Sequence, residues 1–360
     1  DACKAIDSVQ WIPEWGGDRI KGMVMDRSDW CISRQRTWGV PIPIFYCKHC
    51  GKPIINEDSI NAIANLYEKE GSDAWYKYEA NEILPEGFKC ECGCTEFTKE
   101  MDIMDVWFDS GVSHAAVCNE EHGLRWPADL YLEGADQYRG WFQSSLLTSV
   151  AAKGSAPYKA VCTHGWVVDG EGKAMHKSLG NGMSPDEVTD KYGADILRTW
   201  VASSDYHADI RISQDILKQL SDAYRKIRNT ARFILSNLGD FNPDTDSVSV
   251  EKLDGIDKWA MARMDEIIEK CKAAYDKFDF HIVYSTMRDF CTIDLSNFYL
   301  DILKDRLYVE KADSESRRAA QTVIYNILRT MTLYLAPVIS FTAEEIWGYM
   351  PRSEKDDAES

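Results

Sequence analysis

The sequence predicts an α/β unit with a parallel sheet and an inserted cysteine module, followed by an all-helical domain. Between residues 101 and 215, short apolar segments alternate with a helical pattern, which is typical of a parallel sheet. From about residue 215, apolar residues recur at helical spacing in five successive stretches. Two groups of cysteines lie between residues 47 and 100. These three observations set the expected order of the regions.

Length and composition exclude several classes of protein. The 360 residues are 44% hydrophobic and 28% charged, as in ordinary globular domains, and the length suggests two or three domains. No apolar run approaches the ~18 residues of a membrane span, so we expect no membrane protein. The 12 Trp, 17 Tyr and 12 Phe supply a core, which excludes intrinsic disorder. The net charge of −18 excludes a generic nucleic-acid-coating protein, so any RNA contact must use a local basic patch.

The start of the chain and the cysteine count indicate the compartment. The first residue is Asp1, and no basic and then apolar signal segment follows. The eleven cysteines are an odd number, and six of them are scattered singly, as small buried hydrophobes are in a reduced protein. We therefore expect a cytoplasmic protein without a disulfide framework, whose numbering begins inside a longer chain.

Residues 1–46 alternate apolar runs with turn residues. Pro13, Gly16 and Gly17 predict that no long helix runs through this part of the chain. Residues 40–46 hold two prolines, which cannot donate to a ladder, and are therefore predicted as an edge strand.

Residues 47–100 are predicted as a metal-binding module with a polar helix near 57–70. In Cys47-Lys-His-Cys50-Gly51, two thiolates can reach one ion, and the glycine permits the tight turn behind them. A second group, Cys90-Glu-Cys-Gly-Cys94, follows about 40 residues later. Two such pairs can complete a tetrahedral sulfur site with no open position, which suits structural zinc. The alternative is a set of unliganded thiols.

The choice of ligands is only partly settled by the sequence. Cys92 precedes a glycine as Cys50 does, so Cys47, Cys50 and Cys92 are the more secure ligands. The fourth ligand is Cys90 or Cys94, and we favour Cys90. His49 is interpreted as a bystander.

In residues 101–215 the informative segments are loops that follow strands. Strands are predicted at 105–108, 129–132, 158–163 and 165–168, and a buried helix at 141–152. In a parallel sheet, ligands bind beyond the carboxyl ends of the strands, which directs attention to residues 133–140 and 169–182.

Each of these two loops has two interpretations. Residues 169–181 combine glycines with lysines, and such a loop either brings ammonium groups and amides up to phosphates or is a solvated basic turn. Glu133, Asp136 and Gln137 suit an amino group or ribose hydroxyls. Asp136 could also cap the helix that follows it.

Residues 216–350 are predicted to be all-helical, and residues 351–360 to be a polar tail. Thr342 and Glu345 have the spacing of a capping box. Helices are predicted at 216–238, 257–278, 281–305 and 314–336, with a last one that starts at Thr342.

Four segments carry a family resemblance in their residues and order. They read Ser28-Asp-Trp-Cys-Ile-Ser-Arg-Gln-Arg-Thr-Trp-Gly39, Asp105-Val-Trp-Phe-Asp-Ser-Gly111, Leu132-Glu-Gly-Ala-Asp-Gln-Tyr-Arg-Gly-Trp-Phe142 and Lys173-Ala-Met-His-Lys-Ser178. From about Val9 to Gly348, the chain resembles the isoleucyl-tRNA synthetases, which are class I aminoacyl-tRNA synthetases with a Rossmann-type catalytic domain. The resemblance implies that residues 1–46 re-enter that domain after an editing insertion.

The same resemblance implies the remaining domains and the site. Residues 101–215 would be a Rossmann catalytic half with its signature loop at 173–178, and residues 216–350 an anticodon-binding domain. Trp107 and Trp141 would enclose the isoleucine side chain. The implied adenylate-binding residues are Glu133, Gly134, Asp136 and Gln137; those bordering ATP are His164, Gly165, Met175 and Lys177; the catalytic ones are Lys173, Lys177 and Ser178.

The chain departs from the family pattern in two places. The signature loop has Ala174 in place of the first lysine and His176 in place of the first serine, so Lys173 could stand in for the missing lysine. His176 could donate a hydrogen bond as serine would, or simply be tolerated. The class I His-x-Gly-His signature is absent from the 360 residues, and in the family it lies before the editing insertion. We therefore expect an incomplete chain that folds but does not activate isoleucine.

A basic stripe is the candidate tRNA contact. Arg225, Arg228 and Arg232 recur at helical spacing and suit tRNA phosphates, although salt bridges to neighbouring helices are an equal alternative. The resemblance implies that the parent enzyme activates L-isoleucine with ATP and Mg²⁺ and transfers it to tRNA(Ile). We expect a monomer. The rival hypothesis is a non-catalytic tRNA-binding fragment or paralogue.

Overall fold

The computed structural model describes residues 1–27 and 29–353, apart from the side chain of Lys177. The chain divides into two compact units, Asp1–His164 and Gly165–Ser360. Ser28 of the first family-like segment and residues 354–360 of the predicted tail lie outside the described residues. Among the described residues, no helix is both long and apolar enough to span a membrane.

The first unit contains short strands, short helices and one longer central helix. Its strands are β1 (Gln10–Ile12), β2 (Ser33–Arg34), β3 (Phe45–Cys47), β4 (Pro53–Ile54), β5 (Phe97–Lys99), β6 (Ile103–Met104), β7 (Ala128–Gly134) and β8 (Tyr158–His164). Its α-helices are α1 (Ala2–Asp7), α2 (Trp15–Met25), α3 (Glu57–Glu70), α4 (Ala74–Lys77), α5 (Ala80–Ile83), α6 (Val106–Gly111), α7 (Ser113–Val117) and α8 (Trp141–Lys153).

The predicted parallel sheet is present. β1, β8 and β7 are parallel and lie in that order, and α8 connects β7 to β8. The register pairs Gly134 with His164 at the carboxyl ends of β7 and β8. Ile20, Tyr138, Phe142, Leu146 and Val161 belong to the core beside this sheet and are all fully buried. The loop after β7 therefore starts from a rigid edge.

The strand predicted at residues 105–108 is wrong. β6 ends at Met104, and Asp105 caps α6 because its side chain accepts a hydrogen bond from the Trp107 amide at 3.1 Å. β6 pairs with β2 in an antiparallel ladder. Aromatic and β-branched residues suggested a strand, but the N-cap decides the local structure here.

The prediction that residues 11–17 form no long helix is confirmed, since β1 ends at Ile12 and α2 begins at Trp15. Gly16 and Gly17, however, interrupt no helix, because both lie within α2. A Cβ atom at Gly16 would lie 2.1 Å from the Tyr138 hydroxyl, and one at Gly17 would lie 2.8 Å from the Trp11 ring. The glycines serve close packing of the helix rather than a turn.

The cysteine module has a sheet and a core of its own. β4, β3 and β5 form an antiparallel sheet in that order, and the predicted helix at 57–70 is confirmed as α3. Of the edge strand predicted at 40–46, only Phe45 and Tyr46 lie in β3, and the prediction of an edge is wrong because β3 pairs with β4 on one side and β5 on the other. Pro41 and Pro43 lie before the strand, so they remove no donor from its ladder. The core of the module includes Phe45, Trp75 and Phe97.

The second unit is mainly helical. Two short parallel strands, β9 (Val167–Val168) and β10 (Ile210–Arg211), lie near its start. Its α-helices are α9 (Pro185–Tyr192), α10 (Ala194–Ser203), α11 (Gln214–Ser236), α12 (Gly255–Asp276), α13 (Phe280–Asp289), α14 (Leu300–Ile302), α15 (Lys304–Tyr308), α16 (Glu315–Leu335) and α17 (Ser340–Tyr349).

The predicted helices beyond residue 215 are confirmed, with two differences. The helix predicted at 281–305 is divided into α13, a π-helical segment at Phe290–Tyr299, α14 and α15. Helix α17 starts at Ser340, so the capping box at Thr342 is wrong. The amide and hydroxyl of Thr342 instead donate to the buried carboxylate of Asp195 at 2.8 and 2.6 Å. The predicted domain boundaries stay predictions.

Candidate functional sites

Four cysteine sulfurs converge in the cysteine module. The Sγ atoms of Cys47, Cys50, Cys90 and Cys92 all lie within 4.8 Å of one another. Cys47 and Cys92 are 3.6 Å apart, as are Cys50 and Cys90. A tetrahedral site with Zn–S bonds of ~2.3 Å places its sulfurs about 3.8 Å apart, so the donor set fits zinc. The structure groups Cys90 with the other three, and the Cys94 sulfur instead accepts from the Glu96 amide at 3.4 Å.

Backbone geometry explains why these thiols face one point. Gly51 and Gly93 each follow a clustered cysteine and have φ values of +70° and +82°. This left-handed conformation favours glycine and turns the chain sharply behind each pair of sulfurs. A hydrogen bond from the Cys50 backbone amide lowers the pKa of Cys47 to about 6. Several thiolates this close repel one another unless a cation lies between them.

The carboxyl end of β7 presents the first group of site residues. Glu133 is exposed near the end of the strand, and Gly134 is buried beside it. Asp136 and Gln137 follow in a 3₁₀ turn at Ala135–Arg139. Gln137 donates to the Asp136 carboxylate at 3.1 Å and accepts from the Trp141 amide at 2.9 Å. Gln137 therefore supports the first turn of α8, a role that the sequence had left open for Asp136.

Both tryptophans lie next to Gly140, Trp107 in space and Trp141 in sequence. A Cβ atom at Gly140 would be 3.0 Å from the Trp107 ring and 2.5 Å from the Gln137 side-chain oxygen. Trp141 stacks on Tyr131 with ring centroids 4.0 Å apart and an interplanar angle of 9°. Its indole N–H donates to the Ser110 carbonyl at 3.0 Å. The structure thus brings together Trp107, Gln137 and the start of α8.

Two cavities of the first unit border Trp107. The larger, of about 1140 Å³, is also lined by Trp38, and the smaller, of about 220 Å³, extends to Gly140. Arg34 and Asp105 line both and form an ion pair at 2.5 Å. The indole of Trp30 donates to the same carboxylate at 3.0 Å. Trp107 remains 43% exposed, so an indole face is open to a small ligand.

The glycine-rich loop lies in the second unit, between β9 and α9. Lys173 is exposed and pairs with Glu171 at 2.8 Å. Met175 is half-buried and packs against the cluster that contains Val188. Ser178 is exposed in a 3₁₀ turn, and the side chain of Lys177 lies outside the described residues.

His164 and Gly165, which are predicted to border the adenine, lie where the chain passes from the first unit to the second. His164 ends β8, and Gly165 is the first residue of the second unit. A Cβ atom at Gly165 would lie 2.4 Å from the Ala208 backbone, so this glycine permits two chain segments to approach closely.

The predicted basic stripe is exposed on α11. Arg225 pairs with Asp222 on the same helix at 2.7 Å. Arg228 and Arg232 have no side-chain partner within residues 1–27 and 29–353, and they border a cavity of about 190 Å³. Tyr349, which is 75% exposed, lines the same cavity. The alternative of salt bridges to neighbouring helices is therefore not observed for these two arginines.

Comparisons with known proteins agree with this geometry. Residues 1–213 match the family described as tRNA synthetases class I (I, L, M and V), and residues 257–359 match the anticodon-binding domain of tRNA ligase. This chain belongs to the class I tRNA synthetases. Its sequence is similar to that of curated synthetases named Isoleucine--tRNA ligase. The identity is 61% over the whole chain for the protein of Caldicellulosiruptor bescii and 58% over 99% of it for that of Natranaerobius thermophilus. The chain spans 39% and 38% of the lengths of these two relatives.

Solved structures show the same synthetase fold at low identity. Mycobacterium tuberculosis methionyl-tRNA synthetase in complex with methionyl-adenylate has a TM-score of 0.67 at 19% identity, over 96% of this chain and 58% of that one. A ternary complex of an Agrobacterium radiobacter K84 LeuRS with tRNA and LeuAMS has a TM-score of 0.66 at 20% identity, over 91% and 41%. A class I catalytic fold followed by an anticodon-binding domain is thereby confirmed.

Two polar residues of this synthetase chain were missed by the sequence prediction. The Asn181 side chain bonds to three points of the glycine-rich loop. The Arg211 guanidinium lies against Gly172, where an added Cβ atom would be 3.2 Å from it. Asn181 is the last residue of the segment 169–181, and its position there was a usable signal. Arg211 lies about 30 residues further on, and no sequence signal placed it beside the loop.

Proposed function

We propose that the protein acts in the isoleucine–tRNA ligase reaction, in which L-isoleucine is activated with ATP and transferred to tRNA(Ile). The observation that carries this proposal is the 61% identity to an Isoleucine--tRNA ligase over all 360 residues. The open indole face of Trp107 beside Trp141 supports it, because flat, rigid aromatic walls suit a small branched aliphatic side chain. Weak discrimination of isoleucine from valine is already established for this enzyme class, since one methylene contributes only about 1–3 kcal/mol.

The roles that we propose for the other residues are those implied by the family resemblance. Glu133, Gly134, Asp136 and Gln137 bind the amino group and ribose of the adenylate at the end of β7. His164, Gly165 and Met175 border the adenine. Lys173, Lys177 and Ser178 bind the ATP phosphates together with Mg²⁺, and Lys177 stabilises the charge on the departing pyrophosphate. This chemistry depends on positioning and charge rather than on covalent catalysis.

We further propose that Cys47, Cys50, Cys90 and Cys92 hold one structural Zn²⁺. Four sulfur ligands leave no open coordination position, so the ion would link the two cysteine turns and take no part in the reaction. Its contribution would be to the folding free energy of the module.

The exposed arginines of α11 support tRNA binding. Arg228 and Arg232 provide unpaired positive charge on a protein with a net charge of −18, and Tyr349 beside them can stack on an unpaired base. Replacing both arginines with glutamine should weaken tRNA binding. It should also reduce by about two the slope of the logarithm of the binding constant against the logarithm of the salt concentration, which we call the salt slope. The control is Arg225→Gln, since Arg225 is already paired. An unchanged salt slope would place the tRNA elsewhere. A monomeric state and a cytoplasmic location stay predictions.

ATP–pyrophosphate exchange tests the proposed reaction. In the protein as its gene encodes it, exchange should depend on isoleucine more than on valine or leucine, and Lys177→Ala should abolish it. The 360 residues alone should show no exchange, because they hold no His-x-Gly-His signature. If neither the protein encoded by the gene nor the 360 residues alone catalysed exchange, but tRNA binding were retained, the rival hypothesis of a non-catalytic tRNA-binding protein would be favoured.

A further inference from the structure

One side-chain amide links three parts of the glycine-rich loop. The Asn181 side-chain oxygen accepts from the His176 backbone amide at 3.0 Å. Its nitrogen donates to the Asp169 carboxylate at 2.8 Å and to the Ala174 carbonyl at 3.1 Å. Of the hydrogen bonds that this side-chain amide can form, all but one are therefore made within the loop.

Asp169 secures the other side of the same loop. Its second carboxylate oxygen accepts from the Glu171 and Lys173 amides at 3.0 and 2.8 Å. The Asp169 amide donates to the Lys173 carbonyl at 2.9 Å, and Val168 forms a β-bridge with Ala174. The hydrogen bond from Asn181 lowers the pKa of Asp169, so the carboxylate is charged at neutral pH.

Apolar packing contributes little to the position of this loop. Lys173, Ala174, His176 and Ser178 are all exposed, and of the described side chains between β9 and α9 those of Met175 and Met183 pack against the apolar cluster below. Glycines at 170, 172, 180 and 182 add backbone freedom. Loops with so few buried contacts open at low free-energy cost, so their polar links decide their position.

We propose that Asp169 and Asn181 form a clamp that positions the signature loop for ATP. The proposal rests on the proposed function and adds two positioning residues to it, neither of which contacts ATP. The clamp joins Asp169, which precedes the signature loop, to Asn181, which follows it, and it holds the backbone at 174 and 176, on either side of Met175. Misplacing catalytic groups by about 1 Å can reduce a rate about 100-fold.

The test exchanges the two side chains. Asn181→Asp places two carboxylates face to face, and Asp169→Asn leaves no acceptor for the Asn181 amide in its present orientation. The double variant Asp169→Asn/Asn181→Asp restores an amide-to-carboxylate bond in the opposite direction. It loses the bond to Ala174, whose carbonyl then faces a carboxylate oxygen. Asn242→Asp is the matched control, because the Asn242 oxygen only accepts from the Asp244 amide in a loop of the same unit.

Kinetics and hydrogen exchange are then measured on the protein as its gene encodes it. In pyrophosphate exchange, each single variant should lower kcat about 100-fold with KM for isoleucine unchanged, and the double variant should recover at least tenfold. The His176 and Lys173 amides should lose protection in the single variants and regain it in the double variant. Asn242→Asp should change neither quantity.

The outcomes separate the clamp from the proposed function. An inactive unmutated protein would overturn the proposed function, while the protection of His176 and Lys173 would still decide whether the clamp exists. An active protein whose single variants keep their kcat would overturn the clamp. So would a double variant that recovers neither activity nor protection, since a general loss of structure would then explain the single variants.

Discussion

The cysteine module and the glycine-rich loop are both built on glycine turns, yet they are held in different ways. In the module, four sulfurs converge within 4.8 Å and are backed by buried Phe45 and Trp75. In the loop, exposed residues are linked mainly by the side chains of Asp169 and Asn181. We therefore expect the module to unfold together with its core and the loop to open without disturbing a core. Substitutions should affect stability in the module and positioning in the loop.

Loss of zinc should produce the largest effect. Removing one clustered sulfur, as in Cys92→Ser, should abolish stoichiometric zinc binding and destabilise the module by several kcal/mol, because structural zinc contributes ~10–16 kcal/mol in small zinc peptides. Elemental analysis and thermal unfolding measure the two effects.

Cys94→Ser is the control within the same turn. The Cys94 sulfur bonds to the Glu96 backbone rather than to the cluster, so this variant should keep its zinc, unlike Cys90→Ser. Equal loss of zinc from both variants would contradict the assignment of the fourth ligand, and a protein without zinc would contradict the site itself.

These cysteines show how far the sequence could be used. A cysteine can be recognised as a possible metal ligand from its residue type alone. The positions of Gly51 and Gly93 were then enough to select Cys47, Cys50 and Cys92 as ligands. The choice between Cys90 and Cys94 depends on a turn closed by a bond from the Cys90 amide to the Cys94 carbonyl, at 2.9 Å. That bond could not be inferred from the spacing.

The same distinction applies to the rest of the molecule. The helices at 216–238, 257–278 and 314–336 follow apolar periodicity, which the sequence displays directly. The helix at 106–111 depends on a local hydrogen bond from the Trp107 amide to the Asp105 carboxylate, which apolar periodicity does not display. The glycines within α2 depend on close contact with Tyr138, which is a tertiary contact. Asn181 and Arg211 were missed for the same reason, because their roles consist only of contacts.

Substitution of Trp141, which we propose lines the amino-acid pocket, should show an intermediate effect. Trp141 is supported by Tyr131, as in a core, and lies beside Trp107, whose face is open. Trp141→Ala should raise KM for isoleucine about tenfold or more and leave KM for ATP nearly unchanged, since pocket contacts contribute about 1–3 kcal/mol. Trp141→Phe should recover part of the loss by restoring the stack. An equal rise in both KM values would mean that Trp141 supports the fold alone.

Equivalent glycine substitutions compare the two regions directly. Gly93 in the module and Gly180 in the loop have φ values of +82° and +60°, and a Cβ atom at either would meet no atom within 4 Å. Alanine should therefore introduce only backbone strain, of about 1–2 kcal/mol. Gly93→Ala should lower the free energy of unfolding by that amount. Gly180→Ala should leave it unchanged and speed amide exchange in the loop, because local opening relieves the strain. Equal effects on global stability would show that the loop unfolds with the core.

The smallest expected effect is the pH dependence of the loop. Hydrogen bonding from Asn181, followed by that from the Lys173 amide, lowers the pKa of Asp169 below its usual value of ~3.9. A carboxylate whose pKa is lowered by folding keeps all its hydrogen bonds at pH values above its pKa in the unfolded protein. It loses them as the pH falls through its pKa in the folded protein. Corrected for intrinsic exchange, protection of the Glu171 and Lys173 amides should persist at pH 5 and decline only below about pH 4. In Asp169→Asn the protection should be lower and should change less with pH over this range, since residue 169 then takes up no proton. Protection in the unmutated protein that already declines between pH 7 and pH 5 would mean that another group holds the loop.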